Sequence, residues 1–237
     1  YIPIDGFQEG LFSFIKDILP PQTFEAVNVV IGDIINNQYG GLLSFGFLLS
    51  IFLMTNGVNA IFGGFEYSYH VKEIRNIFRS YFISLGVSLL ISLFLIITII
   101  LVIWYQVALF KINENGWLHI DDLNLFYYGR GFLFLVMIFT IVSLLFRYGT
   151  KQGKETRFFS GGAILTTILS LCTFYLFGIY VIKFAQYNQL YGSIGTLLIL
   201  MLFVWLNSII LLLGFELNAS LYSLRQINKT FTSPKKV

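Results

Sequence analysis

The sequence predicts an all-α, polytopic membrane helix bundle, and three observations carry that prediction. Apolar residues make up 57% of the 237 and charged residues only 11%, where a soluble domain carries about a quarter charged. Five stretches are mostly apolar over on the order of 20 residues, the length a helix needs to cross a bilayer core. The Lys and Arg residues are unevenly split between the connections that alternate along the chain. The mean hydropathy of +0.78 agrees. A soluble globular enzyme is thereby excluded, and 26 Phe with 14 Tyr exclude a disordered chain. The single cysteine, Cys172, leaves no intrachain disulfide and no multi-thiolate metal site.

Residues 1–38 read as amphipathic and not spanning. Phe24, Val27, Ile31, Ile34 and Ile35 recur at helical spacing with Glu25, Asn28 and Asp33 between them, one apolar stripe on a polar helix. Pro20 and Pro21 separate this helix from an earlier one holding Phe7, Leu11, Phe14, Ile15 and Ile18, because proline suits a first turn and breaks an interior. Two short helices over 4–37 are expected on the outer surface, resting on the bundle or the interface. They are also a surface on which another protein can dock.

The bundle is expected over 39–221. Its spans fall at about 41–62, 81–104, 131–148, 161–182 and 193–215. The connection 106–129 carries Trp117, Tyr127 and Tyr128, residues that suit the headgroup level. A tail of 222–237 follows the last span.

Orientation follows from the bases. Residues 66–80, 147–157 and 225–237 hold 11 of the 15 Lys and Arg, among them Lys72, Arg75 and Arg79. The other side holds eight of the twelve acids. The rule that cytoplasmic loops are basic puts the first set, and the C-terminus, on the cytoplasmic side. The chain then starts outside with no signal peptide, so a sixth span is expected before residue 1.

Motifs for catalysis are missing from this pattern. His70 and His119 fall on opposite sides of the membrane in this topology, and no HExxH, CxxC, GxSxG or Walker loop occurs. No metal, no cofactor and no nucleic-acid partner is expected, and membrane lipids are the expected neighbours. The mixture of bases and aromatics in GGFEYSYHVKEIRNIFRS fits positive-inside loops with interfacial anchors rather than a nucleic-acid patch.

Polar residues inside spans are more informative, because they are costly in hydrocarbon. Asn56, Asn59, Gly63 and Glu66 fall within about an 80° arc at 100° per residue. Asn207, Gly214 and Asn218 share a face of the last span, with Glu216 nearly opposite. Asn56, Asn59, Glu66, Asn207 and Asn218 therefore make a candidate polar path, with Asn56 and Asn59 expected to face inward toward Asn207. Two accounts stand beside each other: a hydrated path, or hydrogen bonds that hold helices together. Ser84, Ser88 and Ser92, then Gly161, Gly162, Ala163, Thr166, Thr167 and Ser170, permit close helix approach.

The segment YGSIGTLLILMLFVWLNSIILLLGFELNASL, residues 191–221, resembles the most recognisable stretch of the YihY/BrkB family of inner-membrane proteins. Tyr191, Gly192, Ser193, Gly195, Gly214, Glu216, Leu217 and Asn218 match its pattern. Arg75, Phe78 and Arg79 fit the family's basic loop, and Gly161, Gly162, Ala163 and Tyr180 its fifth span. The loop after Tyr148, RYGTKQGKETR, lacks a proline common there. The resemblance implies six spans. It brings the old name ribonuclease BN, which the residues do not support: a hydrolytic nuclease needs metal-binding carboxylates or a paired acid and base at one site. Members have also been called virulence factors and transporters. The sequence thus leads to a non-enzymatic membrane protein that transports or handles a lipid or other small envelope molecule. The alternative is a scaffold or accessory subunit of a larger envelope complex.

Overall fold

A computed structural model describes residues 12–13, 15–16, 24–25, 27–29, 31–32, 40–68, 71, 74–114, 123–151, 153, 158–183 and 193–232. Five long helices dominate them: α1 Gly40–Glu66, α2 Ile77–Glu114, α3 Leu123–Gly149, α4 Gly161–Lys183 and α5 Ser193–Thr232. No strand occurs among the described residues. Each helix carries a segment long and apolar enough to cross a membrane: Phe45–Glu66, Ile77–Tyr105, Tyr128–Gly149, Gly161–Val181 and Leu197–Arg225. The five expected spans are therefore present.

Two helices outrun their apolar stretches. α2 continues to Glu114 into the expected outer connection, and α5 continues to Thr232 through most of the expected tail. Once a helix is nucleated, each further residue adds one hydrogen bond for one residue fixed. The end of hydrophobicity is thus not the end of helix. Of the expected outer helices over 4–37, the described residues are helical and the remainder lies outside the described set.

Local chemistry sets the helix ends. Asn76 precedes α2 and its carbonyl accepts the Ser80 N–H at 2.9 Å, an N-cap position that favours Asn. Ser160 precedes α4: its carbonyl accepts from Ile164 N at 3.1 Å and its hydroxyl from Ala163 N at 3.3 Å. After α3, Gly153 N donates to the Thr150 carbonyl and hydroxyl.

The described chain divides into two compact units, one of residues 1–44, 91–138 and 171–204, the other of 45–90, 139–170 and 205–237. The first is packed by aromatics: Phe174 lies 5.6 Å from Phe134 and 5.2 Å from Phe203, and Phe177 lies 5.0 Å from Phe203. Gly129 lets the Tyr105 ring lie against α3, where any Cβ would collide with it. In this unit Arg130 donates to the Ser13 carbonyl at 3.0 Å.

In the second unit Phe65, fully buried, stacks on Phe215 at 4.3 Å with rings 8° apart. Phe146 meets both edge-on, at 5.7 and 6.0 Å. Such edge and stacked geometries are the preferred ones for aromatic pairs. Gly149 makes room for the Phe65 ring. This cluster joins α1, α3 and α5 beside the residues that matter most below.

Candidate functional site

All the site residues that the structure places with side chains, save Gly195, belong to the second unit. They do not assemble as one polar path. α1 turns its buried face inward through Thr55, Val58, Phe62 and Phe65. Asn59 borders that face and is half-buried; its Oδ1 accepts from Ser80 and Ser84, each at 3.2 Å. One turn earlier Thr55 and Ser88 share a hydrogen bond at 3.2 Å. α1 and α2 are thus joined by a ladder of small hydroxyls, with Ser80, Ser84 and Ser88 spaced at four residues so that they share one face.

Two expectations are corrected here. Asn59 takes its partners from α2 and not from the Asn207 face. Asn56 does not face inward: it is exposed, on the stripe that carries Leu49, Phe52 and Leu53. The arc that holds both asparagines is wide enough for the edge of the buried face to pass between them. Asn207 is half-buried on α5.

The last-span motif has a structural reading. Gly162 and Gly214 let α4 and α5 approach until their backbones touch; a Cβ on either would overlap the other helix. One turn on, Asn218 is 6% exposed. Its Oδ1 accepts from Gly162 N at 2.7 Å and its Nδ2 donates to Ser160 Oγ at 2.8 Å. The first four N–H groups of a helix have no partner within it. Asn218 satisfies one of those of α4 and fixes the serine that satisfies another. This residue, placed in the candidate path, is therefore a cap supplied from the neighbouring helix. Glu216 points to the opposite side, where it accepts from the Ser68 hydroxyl just beyond α1. Gly195 is buried in the first turn of α5, and Tyr191 and Gly192 lie outside the described residues.

The basic loop shows the largest departure from expectation. Lys72 lies outside the described residues and Arg79 is exposed, as a solvated loop would have it. Arg75 is only 5% exposed. Its backbone N–H donates to Glu66 Oε1 at 3.4 Å and its guanidinium to the Tyr148 carbonyl at 2.6 Å. Burial pushes this guanidinium below the ordinary arginine range; Glu66 pulls it back, and Arg79 lowers it further. An arginine so placed still carries its charge at neutral pH.

Arg75 also lines a cleft of about 420 Å³, together with Tyr148 and with Ile83, Gly86, Val87 and Leu90 of α2. Gly86 and Leu90 are exposed, and a Cβ on Gly86 would meet nothing within 4 Å. The cleft therefore has one cationic end, apolar walls and an open flank. Sequence reasoning missed Gly86 and Tyr148. A lone glycine in an apolar span was the available sign for the first, and nothing local marked the second, which contributes a backbone carbonyl.

Comparison with known proteins agrees with this architecture. The profile of the family described as Virulence factor BrkB matches residues 1–236. The ribonuclease-like protein YfkH of Bacillus subtilis is 28% identical over 234 residues, 96% of this chain and 82% of that protein. A UPF0761 membrane protein of Xanthomonas oryzae pv. oryzae is 28% identical over 121 residues, which are 51% of this chain and 27% of its own length. One from Idiomarina loihiensis is 29% identical over 97 residues, 40% of this chain and 34% of the relative. No solved structure matches. With its five span-length helices and a match along almost its whole length, the chain belongs to the BrkB family of membrane proteins.

Proposed function

We propose that the protein handles an amphiphilic molecule of the bacterial envelope, receiving it from the bilayer rather than from water, and that it is not an enzyme. The observation that carries this reading is the cleft on α2. It joins a buried cation to an apolar wall whose Gly86–Leu90 side is exposed on a membrane-spanning helix. Lipid-like molecules have that same division into polar head and apolar chain. The ribonuclease name of the Bacillus subtilis relative does not help. The asparagines, serines and threonines that the structure brings together here are engaged in helix contacts, which is not the paired acid and base that hydrolysis needs.

The test is lipid movement. Purified protein in vesicles carrying a fluorescent phospholipid should speed exchange between leaflets, read by chemical quenching of the outer leaflet. Exchange no faster than in empty vesicles would overturn transport. It would leave the alternative, a scaffold or accessory subunit. One observation favours that alternative: Asn56 stands in an apolar exposed stripe of α1 with no hydrogen-bond partner among the described residues. An amide in hydrocarbon is stabilised by a partner helix.

The same reading puts the protein in the inner membrane, with 66–80, 147–157 and 225–237 in the cytoplasm. In a Cys172→Ser background, Lys72→Cys should resist a membrane-impermeant thiol reagent added to intact cells, and Asp121→Cys should react. The reverse pattern would invert the orientation.

A further inference from the structure

We infer that the α2 cleft is a binding site for one anionic glycerophospholipid, its phosphate held by Arg75 and one acyl chain lying over Gly86. This rests on the functional reading above and names the class of molecule and the residues that select it.

The argument begins with the cation. A guanidinium offers five N–H donors in a rigid fork. That of Arg75 makes one side-chain hydrogen bond among the described residues, to the Tyr148 carbonyl, and no ion pair with a carboxylate there. Glu66 meets the Arg75 backbone and supplies charge at a distance. A buried charge is expensive unless it is paired and hydrogen-bonded. Arg75 lines the cleft, so an anion held there lies beside a guanidinium with donors to spare. An anion with two or three oxygens would satisfy several of them at once, and arginine suits phosphate for that geometric reason. Arg79, exposed one turn away, adds a second positive charge.

The walls then decide between a free anion and a lipid. Ile83, Gly86, Val87 and Leu90 follow i, i+3, i+4, i+7 spacing on α2 and form one apolar stripe. Arg75 lies two residues before α2 begins, and Leu90 lies about 20 Å along the helix from Ile77 at 1.5 Å per residue. That is the course of an acyl chain running inward from a headgroup. Gly86 is the floor of the groove: a side chain there would stand where the chain passes, and no protein atom occupies that place. A free phosphate would have no use for this wall.

The experiment uses the purified full chain, delipidated in mild detergent and offered phosphatidylglycerol or phosphatidylcholine with matched acyl chains, with bound lipid counted by native mass spectrometry. Wild type should retain about one phosphatidylglycerol and prefer it over phosphatidylcholine by about tenfold, a difference that one charge-assisted phosphate contact can supply. Gly86→Leu should fold, since its side chain meets open space, and should lose retention of both lipids. Arg75→Gln should lose the preference between headgroups. Equal retention of the two lipids by wild type would overturn the proposal without any variant. So would undiminished phosphatidylglycerol on a Gly86→Leu protein of normal melting temperature. Displacement of the lipid by millimolar inorganic phosphate alone would show a free-anion site and overturn the lipid assignment. Leaflet exchange that persists in Gly86→Leu together with undiminished lipid retention would sink this site while leaving the broader function standing.

Discussion

Gly214→Ala is expected to lower the melting temperature of the detergent-solubilised protein by several degrees, and Gly214→Leu to prevent its recovery in folded form. An added Cβ at Gly214 would overlap Thr166 Oγ1, lie 2.8 Å from the Gly162 carbonyl oxygen and 3.1 Å from Thr166 Cβ. The carbonyl is the decisive neighbour. A flexible side chain can swing away, but a backbone oxygen moves only if α4 and α5 separate. Overpacking of this kind typically costs about 1–3 kcal/mol, and in a chain of this size each kcal/mol shifts the melting point by roughly 2–4 °C. Separation would also pull Asn218 from Gly162, so the measured loss should fall toward the upper end. Thr166→Ala placed in the Gly214→Ala background should recover part of the loss, because it removes one of the obstructing groups and leaves the carbonyl. Thr166 Oγ1 is buried without a hydrogen-bond partner among the described residues, so its removal sacrifices no bond. Gly57→Ala is the control: its Cβ meets nothing within 4 Å, and it should melt like wild type. Melting of Gly214→Ala indistinguishable from wild type would show that these helices do not depend on the close approach.

The architecture was legible because it depends on sums. Five apolar stretches predict five helices almost independently of detail, and each falls inside its observed helix. The candidate site depends on partners, which sequence spacing cannot supply. The arc from Asn56 to Glu66 was real as helical geometry, but which part of an arc is buried depends on where α2 packs. That separated Asn59, bonded to Ser80 and Ser84, from exposed Asn56. Arg75 was legible as a base of the cytoplasmic loop and not as a buried one, because the rule that counts basic loop residues treats them all as solvated. Its hydrogen-bond partner is the Tyr148 carbonyl, 73 positions away in the chain. The small residues carried the most recoverable signal. Gly162, Ser84 and Ser88 predict close helix contact from size alone and lie at such contacts, whereas Ser80 and Gly214, which complete those contacts, were not in that series.

Asn218 gives the sharpest division between a polar path and a structural role, because the two readings differ on which substitution is harmless. A cap needs an acceptor for Gly162 N–H, and Asn218→Asp retains one. The new carboxylate would sit at the N-terminus of α4, where the helix dipole favours negative charge. Ser160, which now accepts from Asn218 Nδ2, can rotate its hydroxyl to donate to that carboxylate and still accept from Ala163 N. Asn218→Asp should therefore melt within about 2 °C of wild type, the shift expected of less than 1 kcal/mol. Asn218→Leu keeps the volume and removes the acceptor. It leaves the Gly162 N–H orphaned at a buried helix–helix contact, and a buried unsatisfied donor costs about 1–3 kcal/mol. Its melting point should fall by roughly 2–12 °C. The opposite order would follow if Asn218 lined a hydrated path that a fixed charge blocks and a stable bundle does not need. Thermal unfolding of the two variants side by side, with leaflet exchange measured on each, decides it. A destabilised Asn218→Asp beside a wild-type-like Asn218→Leu would remove the capping role and return this residue to the path.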